Sequence, residues 1–292
     1  MEWIEAKSLL QTVSHGDNWF GIEYNVNLYR GCHHGCIYCD SRSDCYHIQN
    51  FDEVRGKKNI SSLLERELAS KRKKGIVGIG SMSDTYNVFE KKYELTRKAL
   101  FLLEKYGFGV CLQTKSSLVT RDIDILVKMQ KRGSVCIGLT ITTYDDILSR
   151  KIEPFAPVSS QRFAAVHDLS KAGIFTGILL SPVLPFITDT EENIRKMVYL
   201  AHQNGAKFIY TYLGVTLREN QREYYLQALQ KNFPELVDIY KKKYGNKYLC
   251  LTPSQNLWKT FTEECQKYGI LYKMDDIIKG YKKETQQISF LL

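Results

Sequence analysis

Between residues 21 and 213 the chain keeps returning to one pattern: a short β-branched or apolar run, then an amphipathic stretch ended by glycine. The apolar runs fall at 21–28, 76–80, 108–114, 135–141, 175–182 and 207–213. Between them apolar side chains recur at helical spacing. Leu95, Ala99, Leu102 and Tyr106 precede Gly107, and Ile194, Met197, Val198 and Ala201 precede Gly205. Local punctuation agrees. Ser62 with Glu65 predicts a capping box, and Gly75 follows that helix. Thr120 predicts the cap of a helix that carries Ile123, Leu126 and Val127 and stops at Gly133. Asp189 with Glu192 predicts the opening of another. Strand starts about 27 to 55 residues apart leave room for one crossover helix each. Six such units predict an α/β fold around a parallel sheet, which right-handed crossovers would curl into a partial barrel.

After residue 215 the alternation stops. Leu226, Leu229, Phe233, Leu236, Ile239 and Tyr240 predict helices interrupted near Pro234, and Pro253 predicts the start of one that runs to Tyr268. The expected organisation is an N-terminal extension at 1–20, the βα array at 21–215 and a mostly helical region at 216–292. The 292 residues, 43% of them hydrophobic, suffice for a large globular core. No apolar run reaches the ~20 residues of a membrane helix. Met1-Glu2-Trp3-Ile4-Glu5 lacks the basic and apolar regions of a signal peptide, so a cytoplasmic protein is expected. Eight cysteines are too sparse for a disulfide scaffold. The excess of 41 basic over 32 acidic residues, +9, is compatible with nucleic acid as substrate or partner. The bunched bases at Lys71-Arg72-Lys73-Lys74, Lys241-Lys242-Lys243 and Lys282-Lys283 also fit solvated helix ends, where cations suit the helix dipole.

The chemically loaded segment follows the first apolar run: Asn27-Leu28-Tyr29-Arg30-Gly31-Cys32-His33-His34-Gly35-Cys36-Ile37-Tyr38-Cys39. Three thiolates at this C-x3-C-x2-C spacing can hold three irons of a [4Fe–4S] cube, which usually takes four cysteines. The fourth iron is then open to chemistry. The competing reading is a zinc site completed by His33, His34 or Cys45, although zinc sites usually bring C-x2-C pairs and no second pair is present. Cys45 as a fourth cluster ligand would close the open iron. Gly31 and Gly35 allow the loop to turn tightly. His33 and His34 read as loop residues. Cys250 and Cys265 stand alone in apolar surroundings and read as packing residues.

The cysteine spacing resembles the signature of the radical S-adenosylmethionine (SAM) superfamily. Asn27-x-Tyr29-x-Gly31-Cys32, Gln113-Thr114-Lys115-Ser116, Arg121-Asp122, Thr140-Ile141-Thr142-Thr143, Glu153-Pro154 and Arg162 resemble its spore-photoproduct-lyase-like branch, whose members are often labelled DNA repair photolyases. The likeness runs from about residue 20 to 213. It implies a partial (βα)6 TIM-type barrel with a C-terminal helical extension and an active site at the C-terminal ends of the strands. It implies Cys32, Cys36 and Cys39 as ligands of a [4Fe–4S] cluster. SAM would fill the open iron and be cleaved reductively to methionine and a 5′-deoxyadenosyl radical, which takes hydrogen from a substrate. An electron donor such as flavodoxin or ferredoxin is implied too. By the same likeness Tyr38 would meet the SAM adenine, and Lys115 and Thr140 would contact SAM. A lysine beside the methionine carboxylate makes a charge-assisted bond; read alone, Lys115 is equally a surface lysine. Asp84 and Glu90 could meet the amino group or the ribose, or could begin and cap the next helix.

One departure bears on the reaction. Spore photoproduct lyase carries, after its second strand, a cysteine that returns a hydrogen atom to the product. Here residues 78–84 read Gly-Ile-Gly-Ser-Met-Ser-Asp. Cys136 shares a strand face with Gly138 and Thr140, but lies roughly 13 Å below Thr140, and Cys111 is similarly deep. Tyr86 remains as an O–H donor. The leading reading is a radical SAM enzyme with an unidentified substrate. Its rivals are a lyase acting on thymine photoproducts in DNA and a non-enzymatic metal-bearing nucleic-acid-binding module.

Overall fold

A computed structural model describes residues 1–13 and 19–283. Its main sheet has seven strands paired in chain order: β1 (Leu10–Thr12), β2 (Tyr24–Val26), β3 (Ile76–Ile79), β4 (Gly109–Thr114), β5 (Val135–Thr140), β6 (Phe175–Leu180) and β7 (Phe208–Thr211). β2 to β7 are parallel to one another, and β1 adds antiparallel at the edge. The strands from β3 onward lie within two residues of their expected bounds. Their Val-, Ile- and Leu-rich runs are buried on both faces, which is the strongest strand signal a parallel sheet leaves in sequence.

The first expected strand does not run through 21–28. Phe20 and Gly21 take left-handed φ angles of 47° and 61°, so β2 begins only at Tyr24. The chain leaves the sheet after Val26. Tyr29–Arg30 then pairs with Arg55–Lys57, which also pairs with Glu2–Ile4 in a separate three-stranded sheet.

Crossover helices α1 (Ile60–Ser70), α2 (Leu95–Lys105), α3 (Ile123–Arg132), α4 (Asp146–Ile152), α5 (Ser159–Lys171) and α6 (Glu191–Gln203) follow the strands. Leu64, Leu103, Leu126 and Val166 pack with Val77, Leu112 and Ile137 in the main core. Each such side chain contributes roughly 1.5–3 kcal/mol on burial. The expected caps fared worse than the helices. α1 starts after Asn59 with no side-chain cap. Ser62 Oγ donates to the Asn59 carbonyl, and Glu65 accepts instead from Lys105 Nζ at 2.6 Å. Ser116, not Thr120, caps the 3-10 turn Ser117–Asp122 that precedes α3. Thr190, not Asp189, caps α6, because Asp189 accepts from Thr252 Oγ1 at 2.6 Å.

The sheet face turned away from these helices is filled at its lower end. Ile76, Cys111, Cys136 and Phe208 pack there with Phe20 and with Ile277 and Tyr281 of the last described helix, Met274–Tyr281. Tyr281 OH donates to the Phe20 carbonyl. Cys136 is fully buried in this floor, below Thr140 as strand parity requires.

Residues after 213 contain a hairpin, β8 (Gly214–Thr216) with β9 (Leu249–Leu251), and helices α7 (Gln221–Asn232), α8 (Val237–Tyr244) and α9 (Leu257–Tyr268). α9 starts four residues beyond Pro253. Tyr225, Leu229, Tyr240 and Val215 form a second core with Ile37 and Tyr38 of the cysteine loop.

Gly80, just past β3, sets how closely β4 can approach the top of β3. Its φ is +98°, and a Cβ there would fall 2.0 Å from the Gln113 carbonyl oxygen. Gly80→Ala is expected to cost about 2–3 kcal/mol. Urea unfolding would show it, and an unchanged midpoint would mean that the backbone relaxes freely at this point.

Candidate active site

The cysteine loop is shaped by two glycines and anchored by backbone bonds. Gly31 (φ +79°) leaves no room for a Cβ, which would sit 2.6 Å from the Glu53 carbonyl, and at Gly35 (φ +66°) one would meet the Phe155 ring at 2.9 Å. The Cys32 amide donates to the Phe51 carbonyl at 2.8 Å and the Ile37 amide to Ile152 at 3.0 Å. So held, Cys32, Cys36 and Cys39 face one cavity of about 150 Å³. Gly80, Asp84, Gln113, Lys115 and Thr140, from the C-terminal ends of β3, β4 and β5 and just beyond, complete its wall.

Burial first, then the Asp84 carboxylate and Cys39, pushes Cys32 up to about 12. Burial also raises Cys36 and Cys39, although Lys115 pulls both the other way. Three converging thiols, two buried and one half-buried, suit a guest that brings positive charge. Among the described residues no three His, Cys, Asp or Glu side chains gather tightly enough for a single metal ion. Of the donors offered for a zinc site, only His34 lines the cavity, where it faces Asp84. Cys45 is exposed, with its Sγ 3.0 Å from Ser43 Oγ. His34 Nδ1 stands 3.5 Å from Asp84 Oδ2. His33 lines a neighbouring cavity. The donor set fits a cube on three cysteines better than a lone ion.

Behind the thiols lies a buried charge network. Lys115 Nζ sits 5.6 Å from the centre of the Tyr38 ring. Tyr38 OH donates to Glu153 Oε1, and Arg162 Nη2 lies 2.5 Å from Glu153 Oε2, with both charged side chains fully buried. Burial opposes the charge on Glu153, but Arg162 and Lys115 outweigh it and hold the carboxyl below its usual range. For Lys115 burial likewise opposes charge, and Cys36 and Glu153 outweigh it and keep the ammonium high. Arg162 Nη1 donates to the Thr140 carbonyl at 2.8 Å, which ties the network to the end of β5.

The site residues expected from sequence divide. Cys32, Cys36, Cys39, Lys115, Thr140 and Asp84 come together on one cavity. Tyr38 does not line it; its ring is buried against Lys115, and its hydroxyl is spent on Glu153. Asp84 lines the wall with both oxygens engaged. Thr114 Oγ1 and the Tyr86 amide donate to Oδ1, and the Lys115 amide donates to Oδ2. Glu90 is elsewhere, fully buried, accepting from the Thr96 and Arg97 amides at the start of α2 and from Arg121. It is a helix cap with an ion pair, not a cavity residue. Tyr86 is buried, its hydroxyl donating to Asp122 Oδ2 at 2.9 Å.

Sequence reasoning gave no role to the residues that brace the loop from behind. Gln221 Nε2 donates to the Tyr38 carbonyl at 2.9 Å and to Thr216 at 2.7 Å. Asp40 accepts from Thr216 Oγ1 and Arg218 Nε. No local spacing marks them, because their partners lie far along the chain.

A family model described as the radical SAM superfamily matches residues 26–198, more than half of the chain. The chain belongs to that superfamily, and by that membership it is an enzyme whose family works with SAM and a [4Fe–4S] cluster. An uncharacterised protein of Methanocaldococcus jannaschii is 31% identical over 76% of this chain and 81% of its own length. An uncharacterised protein of Mycobacterium tuberculosis is 28% identical over 76% and 67%. In architecture the chain matches spore photoproduct lyase complexed with dinucleoside spore photoproduct, with a TM-score of 0.67 at 15% identity over 92% of this chain and 80% of that one. Among the described residues no helix is long and apolar enough to cross a membrane.

Removing one partner of the Glu153–Arg162 pair strands a buried charge. Arg162→Met is expected to cost about 3–5 kcal/mol. Arg162→Met with Glu153→Leu should recover part of that loss, since no bare carboxylate remains. Equal losses in the single and double variants, read by chemical unfolding, would show that the pair is not coupled.

Proposed function

We propose that this protein holds a [4Fe–4S] cluster on Cys32, Cys36 and Cys39 and uses it to cleave SAM reductively, so that hydrogen is abstracted from a substrate still to be identified. On this reading the open sheet is the six-strand partial barrel of the superfamily. The observation that carries the proposal is the convergence of Cys32, Cys36 and Cys39 with Lys115 and Thr140 on one cavity at the strand ends. When bound, the cluster supplies the electron that breaks the sulfonium C–S bond, giving methionine and a 5′-deoxyadenosyl radical. The chain's own residues position and shield. Lys115 offers a charge-assisted bond to the methionine carboxylate. Glu153 and Arg162 keep Lys115 and Tyr38 in place, and Thr140 lines the cavity opposite the cysteine loop. Asp84 shapes the wall beside Lys115 instead of spending its oxygens on a ligand.

Anaerobically reconstituted protein should carry four irons and four sulfides and give a SAM-responsive EPR signal on reduction. Cys32→Ala, Cys36→Ala or Cys39→Ala should each abolish it, and Cys250→Ala should not. Lys115→Ala should keep the cluster and bind SAM about 1.5–3 kcal/mol more weakly. Stoichiometric zinc without iron in protein from iron-replete, anaerobically grown cells would overturn the proposal.

A second reading, a lyase for thymine photoproducts in DNA, draws on the fold shared with spore photoproduct lyase and on the +9 charge. Against it, the segment Gly80-Ser81-Met82-Ser83 after β3 brings no cysteine to the cavity, whose three thiols are those given to the cluster, and Cys111 and Cys136 lie in the floor. A thymine radical left by fragmentation would lack a local hydrogen donor. Reduced enzyme with SAM should therefore form 5′-deoxyadenosine but convert little dinucleotide spore photoproduct to thymines. Repeated clean turnovers by mass spectrometry would put the lyase reading first.

A further inference from the structure

A groove of about 680 Å³ opens between α4 and α7, on the back of the cysteine loop at Gly35 and Ile37. It shares no lining residue with the cavity that the three thiols face. Two backbone bonds bracket Cys36 where the groove meets the loop: the Phe155 amide donates to His34 at 3.1 Å, and the Ile37 amide donates to Ile152 at 3.0 Å. The groove therefore reaches the loop from outside the cavity.

Its surface is unusual in two independent ways. Ile147 and Phe155, 72% and 69% exposed, are the two most exposed large hydrophobic side chains among the described residues, and both line this groove. Arg150, Lys151 and Lys231 line it too, with no acid among the lining residues and no ion pair to any described carboxylate. Other cations near the loop are neutralised, as in Arg42 with Asp52 and Arg218 with Asp40. Lys151 Nζ lies 5.8 Å from the centre of the Phe233 ring, but no described carboxylate neutralises any of the three groove cations. An apolar centre with unneutralised cations around it is the anatomy of a transient interface for an acidic protein. A nucleic-acid backbone would use the cations and leave Ile147 and Phe155 in water.

We propose that this groove is the docking face for a small acidic one-electron carrier protein, of the flavodoxin or ferredoxin kind, which reduces the cluster through the Gly35–Ile37 segment. The inference rests on the cluster reading above. The step moves one electron: the carrier's reduced flavin or iron centre loses it and the cluster gains it, with no bond made or broken. Acidic side chains of the carrier meet Arg150, Lys151 and Lys231, while its apolar surface covers Ile147 and Phe155.

The test uses the reconstituted protein and a purified acidic flavodoxin, with affinity read by titration calorimetry. Lys151→Glu with Lys231→Glu, and separately Ile147→Ser, should each weaken flavodoxin binding, the charge reversal by about tenfold or more, with added salt mimicking it in the parent protein. Flavodoxin-driven formation of 5′-deoxyadenosine should fall in step, while dithionite-driven formation stays at the parent level. Unchanged affinity and flavodoxin-driven rate would overturn the docking face, as would variants that lose only binding to a DNA duplex. Dithionite that yields no 5′-deoxyadenosine from the parent protein, with flavodoxin still bound at this groove, would instead defeat the cluster reading.

Discussion

The site depends on one buried ion pair, Glu153 with Arg162, and on what each partner does with its remaining bonds. Arg162 reaches the Thr140 carbonyl and, through Nε, the Pro157 carbonyl at 2.6 Å. Glu153 takes the Tyr38 hydroxyl and faces Lys115. One guanidinium and one carboxylate thus fix the end of β5, the α4–α5 junction, the loop aromatic and the cavity lysine together. Isolated buried pairs give little net stability, but here the Tyr38 hydroxyl and two backbone carbonyls take the pair's other atoms, which ties the pair to one geometry. Around the thiols the chain supplies two cations, half-buried Lys115 and fully buried Arg162, against two carboxylates, Glu153 and Asp84.

The opposite end of the sheet is built for closure. Aromatic rings dominate it: Phe175 stacks on Phe208 with centroids 5.5 Å apart, and Phe20 meets Phe208 edge-on. Two cysteines, Cys111 and Cys136, sit in this layer as ordinary core residues, and burial pushes Cys136 well up. The thiols of the loop and the thiols of the floor share a chemistry but not an environment. Position along the strand decides which set can react.

What the sequence revealed follows the range of the interactions involved. The strands from β3 onward were legible because burial on both faces writes a continuous apolar run into the chain. The three cysteines were legible because their spacing lies within one loop. Helix caps were misread at Ser62, Thr120 and Asp189, since each had a better partner or a better-placed neighbour in the folded chain, and local capping energies of about 1 kcal/mol yield to such competition. For Glu90 the sequence left a SAM contact and a helix cap both open; it caps the helix, and Arg121, 31 residues on, holds it there. The likeness put Tyr38 beside the SAM adenine; what the sequence did not show is that Glu153, 115 residues away, takes its hydroxyl. Lys115 carried no signal of its own and stood out only through the family likeness.

The brace behind the cysteine loop has a consequence for how the protein is made. Gln221, which holds the Tyr38 carbonyl, lies 183 residues further along the chain, and Arg218, on Asp40, lies 178 residues from its partner. Domains fold largely as the chain emerges from the ribosome, N-terminal parts first. Cys32, Cys36 and Cys39 are therefore synthesised long before the hairpin and α7 that will wall them in. For that interval the loop lacks its brace from Gln221 and Arg218. Its geometry is set only when β8 and α7 dock, so on the proposed function the order of synthesis would let metal load ahead of closure.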